Sequence, residues 1–106
     1  MKIRFHNNSI RVRLSEADIS KLKDEKTVAT TTVFSPYSSI SFELNGWQLD
    51  SPNVTFEEGK LIIQINVDLL SNWLDNDEEG IYFEKASEFN QQVLKIAVEK
   101  DFPCKH

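Results

Sequence analysis

The sequence predicts an α+β domain with a mostly antiparallel, strongly twisted sheet of about seven or eight strands, curling toward a barrel, and two short helices. Three observations support this fold class. Several segments alternate apolar and polar residues, as half-buried strands do. Tight-turn signals such as Asn45-Gly46 and Glu58-Gly59 join neighbouring strands into antiparallel pairs. Two apolar stripes with helical spacing, near residues 16–24 and 69–75, predict the helices.

The first fourteen residues predict a β-hairpin with one basic face. Apolar residues stand at odd positions before Asn7-Asn8 and at even positions after it. A two-residue turn at these asparagines explains the change, because Asn tolerates the positive φ angles of such turns; a bulge in one long strand is the alternative. The hairpin register pairs Arg4 with Arg11 and Lys2 with Arg13, so the basic side chains share one face and the apolar side chains share the other.

The segment after this hairpin predicts a helix and a second hairpin. Ser15 is a suitable N-cap for a helix over residues 16–24. The β-branched run 27–34 predicts a strand, and residues 35–38 predict a turn. The next strand alternates over residues 40–44, and Asn45-Gly46 then predicts a tight turn that places Leu44 opposite Trp47 and Phe42 opposite Leu49.

The second half predicts one more hairpin, a helix and two final strands. A turn at Glu58-Gly59 pairs Phe56 with Leu61 and Val54 with Ile63. Asp68 is the expected N-cap of the second helix. The last strands are expected at 81–85 and 93–100, and the Phe102-Pro103 pair ends the second of them, because proline cannot extend a ladder. No internal repeat, linker or low-complexity run is evident.

Length and composition restrict the function classes. The chain has 106 residues, which predicts a single domain over 1–106. A net charge of −5 disfavours a general nucleic-acid binder, and no apolar run is long enough to span a membrane. No continuous apolar stretch follows the basic start, so no signal peptide is expected. The single cysteine, Cys104, cannot form an internal disulfide, which indicates the cytoplasm.

Residues 1–14, which form the predicted hairpin, contain four basic side chains and no acidic one. We call this set the basic face: Lys2, Arg4, Arg11 and Arg13. Like charges opposite one another destabilise a sheet, so compensation is expected. The face is interpreted either as a site for a phosphate-like anion or as a solvated face balanced by acidic residues from a neighbouring strand or the second helix.

Charged strand residues also allow a weaker hypothesis of an enzyme that hydrolyses triphosphates inside a charged barrel. The paired Glu-x-Glu strand that would hold a metal in such enzymes is absent. The residues that could take part are the basic face together with Glu43, Glu57, Lys95 and Glu99.

Three further features of the sequence could indicate a metal site or a catalytic site. The acidic run Asp75 to Glu79 fits a solvated helix end better than a calcium loop, which would need a distal glutamate. Cys104 and His106, with His6, are too few for a zinc site. No histidine sits where it would activate a serine, so no catalytic residue, metal or cofactor is predicted.

The aromatic residues Tyr37 and Trp47 lie at predicted turns and are candidates for an exposed interface. The leading hypothesis is a non-enzymatic domain that acts by protein binding or by self-association as a homodimer. The alternative is a small protein that binds an anion or nucleotide on the basic face and handles phosphate groups.

The two ends of the chain, MKIRFHNNSIRVRLSEADISKL and LKIAVEKDFPC, resemble a family of small uncharacterised bacterial proteins. Members open with a similar strand pair and close with a similar glutamate-lysine-aspartate-phenylalanine stretch and a cysteine. The resemblance implies a single cytoplasmic bacterial domain and no catalytic residue.

Overall fold

The computed structural model describes residues 1–87 and 89–102. In this part of the chain, eight strands and two helices alternate as hairpin, helix, hairpin, hairpin, helix, hairpin. They are β1 (Lys2–His6), β2 (Ser9–Leu14), α1 (Glu16–Glu25), β3 (Thr27–Ser35), β4 (Ser38–Trp47), β5 (Asn53–Glu57), β6 (Lys60–Asn66), α2 (Val67–Asp75), β7 (Gly80–Ala86) and β8 (Val93–Lys100).

The strands form two four-stranded sheets, which we call sheet A (order β1-β2-β8-β7) and sheet B (order β3-β4-β6-β5). The outer pairs of each sheet are antiparallel hairpins, whereas the central pairs β2–β8 and β4–β6 are parallel. The α+β class is confirmed. The predicted strand number and the mostly antiparallel pairing are also confirmed in the described residues, since four of the six strand pairs are antiparallel. The single, barrel-like sheet is wrong, because the central parallel pairs join strands that are distant in the chain and carry no turn signal.

The chain is built from two copies of the same ββαββ arrangement. Residues 2–22 align without a gap with residues 53–73, so that the N-caps Ser15 and Asn66 coincide. Strands β1 to β4 of the first copy correspond to strands β5 to β8 of the second. When each strand is replaced by its counterpart, the strand order of sheet A becomes that of sheet B. The prediction of no internal repeat is therefore wrong. Only two aligned positions carry the same residue, Phe5 with Phe56 and Ser20 with Ser71.

The core lies between the inner faces of the two sheets and beneath the helices. Its fully buried members come from both copies and include Leu14, Leu22, Leu44, Ile65 and Trp73. Each helix starts where the second strand of its copy ends, opposite the short hairpin turns. The helices thus cover one end of the sheets, and the hairpin turns lie at the other.

The helix starts follow the expected capping chemistry with one correction. Ser15 caps α1 through a reciprocal capping box with Asp18, as predicted. The cap of α2 is Asn66 rather than Asp68: the Asn66 Oδ1 atom accepts hydrogen bonds from the backbone of Asp68 and Leu69. Asp68 lies inside the first turn, where its negative charge is favourable.

The predicted turn at Asn45-Gly46 is also wrong, because β4 runs straight through it. A Cβ atom added to Gly46 would lie 3.1 Å from Leu70 Cδ2 and 3.3 Å from Val67 Cγ2, both on α2. The glycine therefore lets a helix approach the strand, rather than allowing the chain to reverse.

The other hairpin registers are confirmed. Arg4 pairs with Arg11 and Lys2 with Arg13 in sheet A, and Asn7 has a φ of 51° in the turn. In sheet B, Phe56 pairs with Leu61 across the second predicted turn. Strand β8 ends at Lys100, and Pro103 lies outside the described residues.

Candidate functional site

The outer face of sheet A carries the basic face in a regular grid of three rows. Each row crosses the four strands in the order β1, β2, β8 and β7. The rows are Lys2–Arg13–Glu99–Gly80, Arg4–Arg11–Ala97–Tyr82 and His6–Ser9–Lys95–Glu84. The predicted gathering of four basic side chains on one face is therefore confirmed, and β8 adds a fifth.

One end of this face is neutralised by Glu99. The residue is only 7% exposed, and its Oε1 atom lies 3.2 Å from Arg11 Nε and 3.8 Å from Arg13 Nε. Its Oε2 atom accepts a hydrogen bond of 2.8 Å from the Tyr82 hydroxyl. Oε1 is the buried side-chain oxygen without a hydrogen bond in the described part of the chain, so the arginines compensate it by charge.

Asp101 neutralises the same end from beyond β8. Its carboxylate lies 2.9 Å from Lys2 Nζ and 3.5 Å from Arg13 Nη1. The hydrogen bond from Lys2, together with the charges of Lys2 and Arg13, holds the pKa of Asp101 below its ordinary value, although partial burial acts in the opposite direction. The compensating acids thus come from the neighbouring strand and its extension.

Tyr82 is locked to this cluster as a hydrogen-bond donor. The bond to Glu99, followed by partial burial and the negative charge of Glu99, raises the pKa of Tyr82 to about 12. The phenol therefore stays neutral at physiological pH and orients the buried carboxylate.

The other end of the face is a hollow of about 720 Å³ around Ala97. Arg4, Arg11 and Lys95 line it together with His6 and Glu84. Within residues 1–87 and 89–102, no carboxylate lies within 4.0 Å of the Arg4 or Lys95 side-chain nitrogens. This hollow is the part of the basic face that keeps positive charge.

The repeated arrangement indicates that the fold does not require these charges. The positions in sheet B that correspond to the basic face carry Asn53, Thr55, Ile62 and Gln64, paired in the same register. The same backbone therefore forms with neutral residues at all four positions.

A second candidate site is the free edge of β3 and the hairpin that it forms with β4. Residues 31–39 are all exposed, and residues 27–42 contain no charged side chain. Val33, Phe34 and Tyr37 are 70%, 69% and 98% exposed. We call residues 31–40 the β3–β4 arm. Sequence reasoning named Tyr37 of this arm as a possible interface but did not identify β3 as the edge strand, although the long uncharged stretch was a visible signal.

The two aromatic residues predicted as an interface are exposed but do not lie together. Tyr37 is at the tip of the arm, and Trp47, 62% exposed, is at the opposite end of β4. A strand of that length separates them by roughly 30 Å. They therefore belong to different surfaces.

The other candidate residues do not converge on a chemical site. Glu43 and Glu57 belong to sheet B, away from the basic face, and Glu43 pairs with Lys60 at 3.4 Å. The acidic run begins at Asp75, the last residue of α2, which pairs with Lys23 at 3.5 Å. It does not provide the counter-charges of the basic face.

No group of three or more His, Cys, Asp or Glu residues is arranged to hold a metal ion among the residues that the structure describes. Cys104 and His106 lie outside that part of the chain. Of the helices described, none is long and apolar enough to cross a membrane.

Comparison with known proteins identifies one family. The model of a family of unknown function, DUF7009, matches residues 1–106. No curated protein and no solved structure matches the chain.

Proposed function

The chain belongs to DUF7009, a family of unknown function, and we propose that it acts as a non-enzymatic binding domain that self-associates through the free edge of β3. The observation that carries this proposal is an uncharged, nine-residue edge strand beside exposed apolar side chains. Such an edge presents unpaired backbone groups that can hydrogen-bond to a strand of another chain.

The four edge strands of the two sheets differ in how they are protected. Charged side chains on an edge strand oppose pairing with another chain. Strand β1 carries Lys2 and Arg4, β5 carries Glu57, and β7 carries Glu84 and Lys85. Strand β3 has the sequence TVATTTVFS and lacks this protection along its whole length.

The occupant that fits this edge is a second copy of the chain. Two copies of β3 can pair in antiparallel register about a two-fold axis and join their B sheets into one continuous sheet. Each chain carries a net charge of −5, so two chains repel one another over most of their surfaces. The uncharged β3 edge allows the closest approach with the least repulsion, and Val33, Phe34 and Tyr37 add apolar area to bury.

The repeated fold provides a matched pair of variants to test this proposal. Thr31 on β3 corresponds to Glu84 on β7, since each lies in the same row of its own sheet. Thr31→Glu introduces the charge that β7 carries naturally, and Glu84→Thr removes it from β7. Sedimentation velocity over a wide concentration range should show a wild-type dimer, a Thr31→Glu monomer and a Glu84→Thr dimer. Circular dichroism melts verify that each variant is folded.

A monomeric wild type at near-millimolar concentration would overturn the proposal. A Thr31→Glu variant that is folded and still dimeric would place the interface elsewhere and would equally contradict the β3 edge.

A second candidate function is binding of a small phosphate-bearing anion in the hollow around Ala97. The observation that favours it is the pair Arg4 and Lys95, which line the hollow without a carboxylate within 4.0 Å in the described part of the chain. Guanidinium and ammonium groups are the usual ligands of phosphate oxygens. Inorganic phosphate, nucleotides and polyphosphate should raise the melting temperature of the wild type and of Lys60→Gln, but not of Arg4→Gln. Equal shifts in all three proteins would exclude this site.

A bacterial source, a cytoplasmic location and a single domain over residues 1–106 complete the proposal. The single cysteine supports a reducing compartment. The single domain is supported by the strand order, since each sheet takes one hairpin from each half of the chain.

A further inference from the structure

We propose that the cleft between the two sheets binds a small apolar carboxylate, with its hydrocarbon part between the sheets and its carboxylate at Lys85. The cleft has a volume of about 730 Å³ and lies at the end that carries the hairpin turns. This size is in the usual range for small-molecule sites. The cleft lies on the inner side of sheet A, whereas the basic face lies on its outer side, and Ile40 of the β3–β4 arm lines one wall of the cleft.

The wall of the cleft is mainly apolar and comes from both sheets. Sheet A contributes Ile10 and Leu94, and sheet B contributes Ile40, Val54 and Leu61. An occupant would therefore replace water next to inward-facing side chains of both sheets, which is favourable in proportion to the apolar area covered.

Three phenylalanines in the cleft lining are unusually exposed for their size. Phe5, Phe56 and Phe89 are 58%, 59% and 89% exposed. Exposed apolar side chains gathered around a concave opening mark a binding site. A ligand with a hydrocarbon tail would cover them, whereas a small inorganic anion would not.

Lys85 is the only formally charged residue among the described residues that line the cleft. It stands opposite Leu94 in the sheet A register, on the strand face that also carries Ile81 and Phe83. Its Nζ atom donates hydrogen bonds to Val54 O at 2.6 Å and to Asn53 Oδ1 at 3.2 Å. Those neutral oxygens hold the ammonium across the gap between the sheets.

The contacts of Lys85 leave one N–H donor and a full positive charge for a ligand. An ammonium group has three donors, and two of them are used. No carboxylate lies within 4.0 Å of Lys85 Nζ in residues 1–87 and 89–102. A carboxylate complements this single charge, whereas a neutral or cationic head group does not.

The test compares ligands that differ only in their head group. Octanoate, octan-1-ol and octylamine are titrated into the full chain, and the contacts are mapped by two-dimensional NMR. Octanoate should shift the signals of Val54, Leu61 and Leu94 and bind at least about tenfold more tightly than octan-1-ol, as one charge-assisted hydrogen bond predicts. Octylamine should bind most weakly.

Variants separate the charge of Lys85 from the shape of the cleft. Lys85→Met should lose about tenfold in affinity for octanoate and keep its affinity for octan-1-ol. Lys21→Met, on helix α1 at the opposite end of the sheets, is the matched control and should bind octanoate like the wild type.

Three results would overturn the proposal: no octanoate binding, equal binding of octanoate and octan-1-ol by the wild type, or signal shifts outside the cleft. The comparison of ligands on the wild type keeps the test decisive even if Lys85→Met fails to fold. None of these outcomes depends on whether the chain self-associates.

Discussion

Lys100 lies over the indole ring of Trp73, with its Nζ atom 5.0 Å from the ring centroid. The same atom donates hydrogen bonds to Trp73 O at 2.9 Å and to Asn76 O at 2.6 Å. Helix α2 has no basic residue in its own last turn. Lys100, which is only 8% exposed, therefore brings positive charge from the end of β8 to the negative C-terminal end of the helix.

Replacing Lys100 by Met should destabilise the protein by about 2 kcal/mol, because two carbonyl oxygens lose a charged donor in a buried place. Urea denaturation measures the change. Lys95→Met, on the exposed face of the same strand, should change the free energy of unfolding by less than about 0.5 kcal/mol. A Lys100→Met variant as stable as the wild type would mean that water replaces the ammonium without loss.

Glu99→Gln should lower the pKa of Tyr82 from about 12 toward its ordinary value of 10.0, because the hydroxyl then donates to a neutral oxygen. In a Tyr37→Phe background, Tyr82 is the only tyrosine, and phenolate absorbance follows it directly. Glu84→Gln is the control on β7. An unchanged titration in Glu99→Gln would show that burial, rather than the carboxylate, sets the pKa.

The same bond makes stability depend on alkaline pH. The folded pKa of Tyr82 lies above the unfolded value, so folding favours the protonated phenol. Its contribution is complete below pH 10.0 and is lost as the pH rises toward about 12. The Tyr82→Phe variant should lose less stability than the wild type over that interval, as measured by urea denaturation at each pH.

Asp101 should produce the opposite dependence in acid. Its folded pKa is below the ordinary value of 3.8, chiefly through the hydrogen bond from Lys2, so folding favours the ionised form. The contribution is present above pH 3.8 and is lost as the pH falls through the folded pKa. Asp101→Asn should flatten the acid side of the stability profile. Parallel profiles for wild type and Asp101→Asn would contradict this role.

Glu58→Asn should stabilise the turn between β5 and β6. Glu58 has a φ of 51°, a left-handed conformation that Asn adopts more easily than Glu. We expect a gain of roughly 0.5 kcal/mol in the free energy of unfolding. Glu57→Asn, the neighbouring control in the strand, should give no gain. A loss of stability in Glu58→Asn would show that the Glu58 side chain makes a favourable contact that the backbone preference does not outweigh.

Local patterns were sufficient for the short-range features of the fold. The parity change at Asn7-Asn8 predicted the whole register of the first hairpin, because an alternating strand pair closed by a two-residue turn has only one register that segregates its faces. The capping of α1 by Ser15 follows equally from residues within one helical turn. The basic face is thus a property of the first fourteen residues.

The compensation of that face needed the tertiary structure. Glu99 and Asp101 meet the basic face only because β8 lies parallel to β2, a pairing between the two ends of the chain. The repeated ββαββ arrangement was equally hidden, since its copies share burial positions and almost no identical residues. A buried position requires an apolar side chain but accepts several different apolar residues, so two copies of a fold can keep the same buried positions without sharing residues.

The sequence by itself therefore determined three of the hairpins, the helices, the charge of the first hairpin and the acidic balance of the rest, because each depends on residues that are close in the chain. Only the tertiary structure decided that the strands divide into two mixed sheets, that β3 is an unprotected edge, and that Lys85 stands in an apolar cleft. These features arise from pairings between distant strands, whose free energy depends on the packing of the whole core rather than on any local pattern.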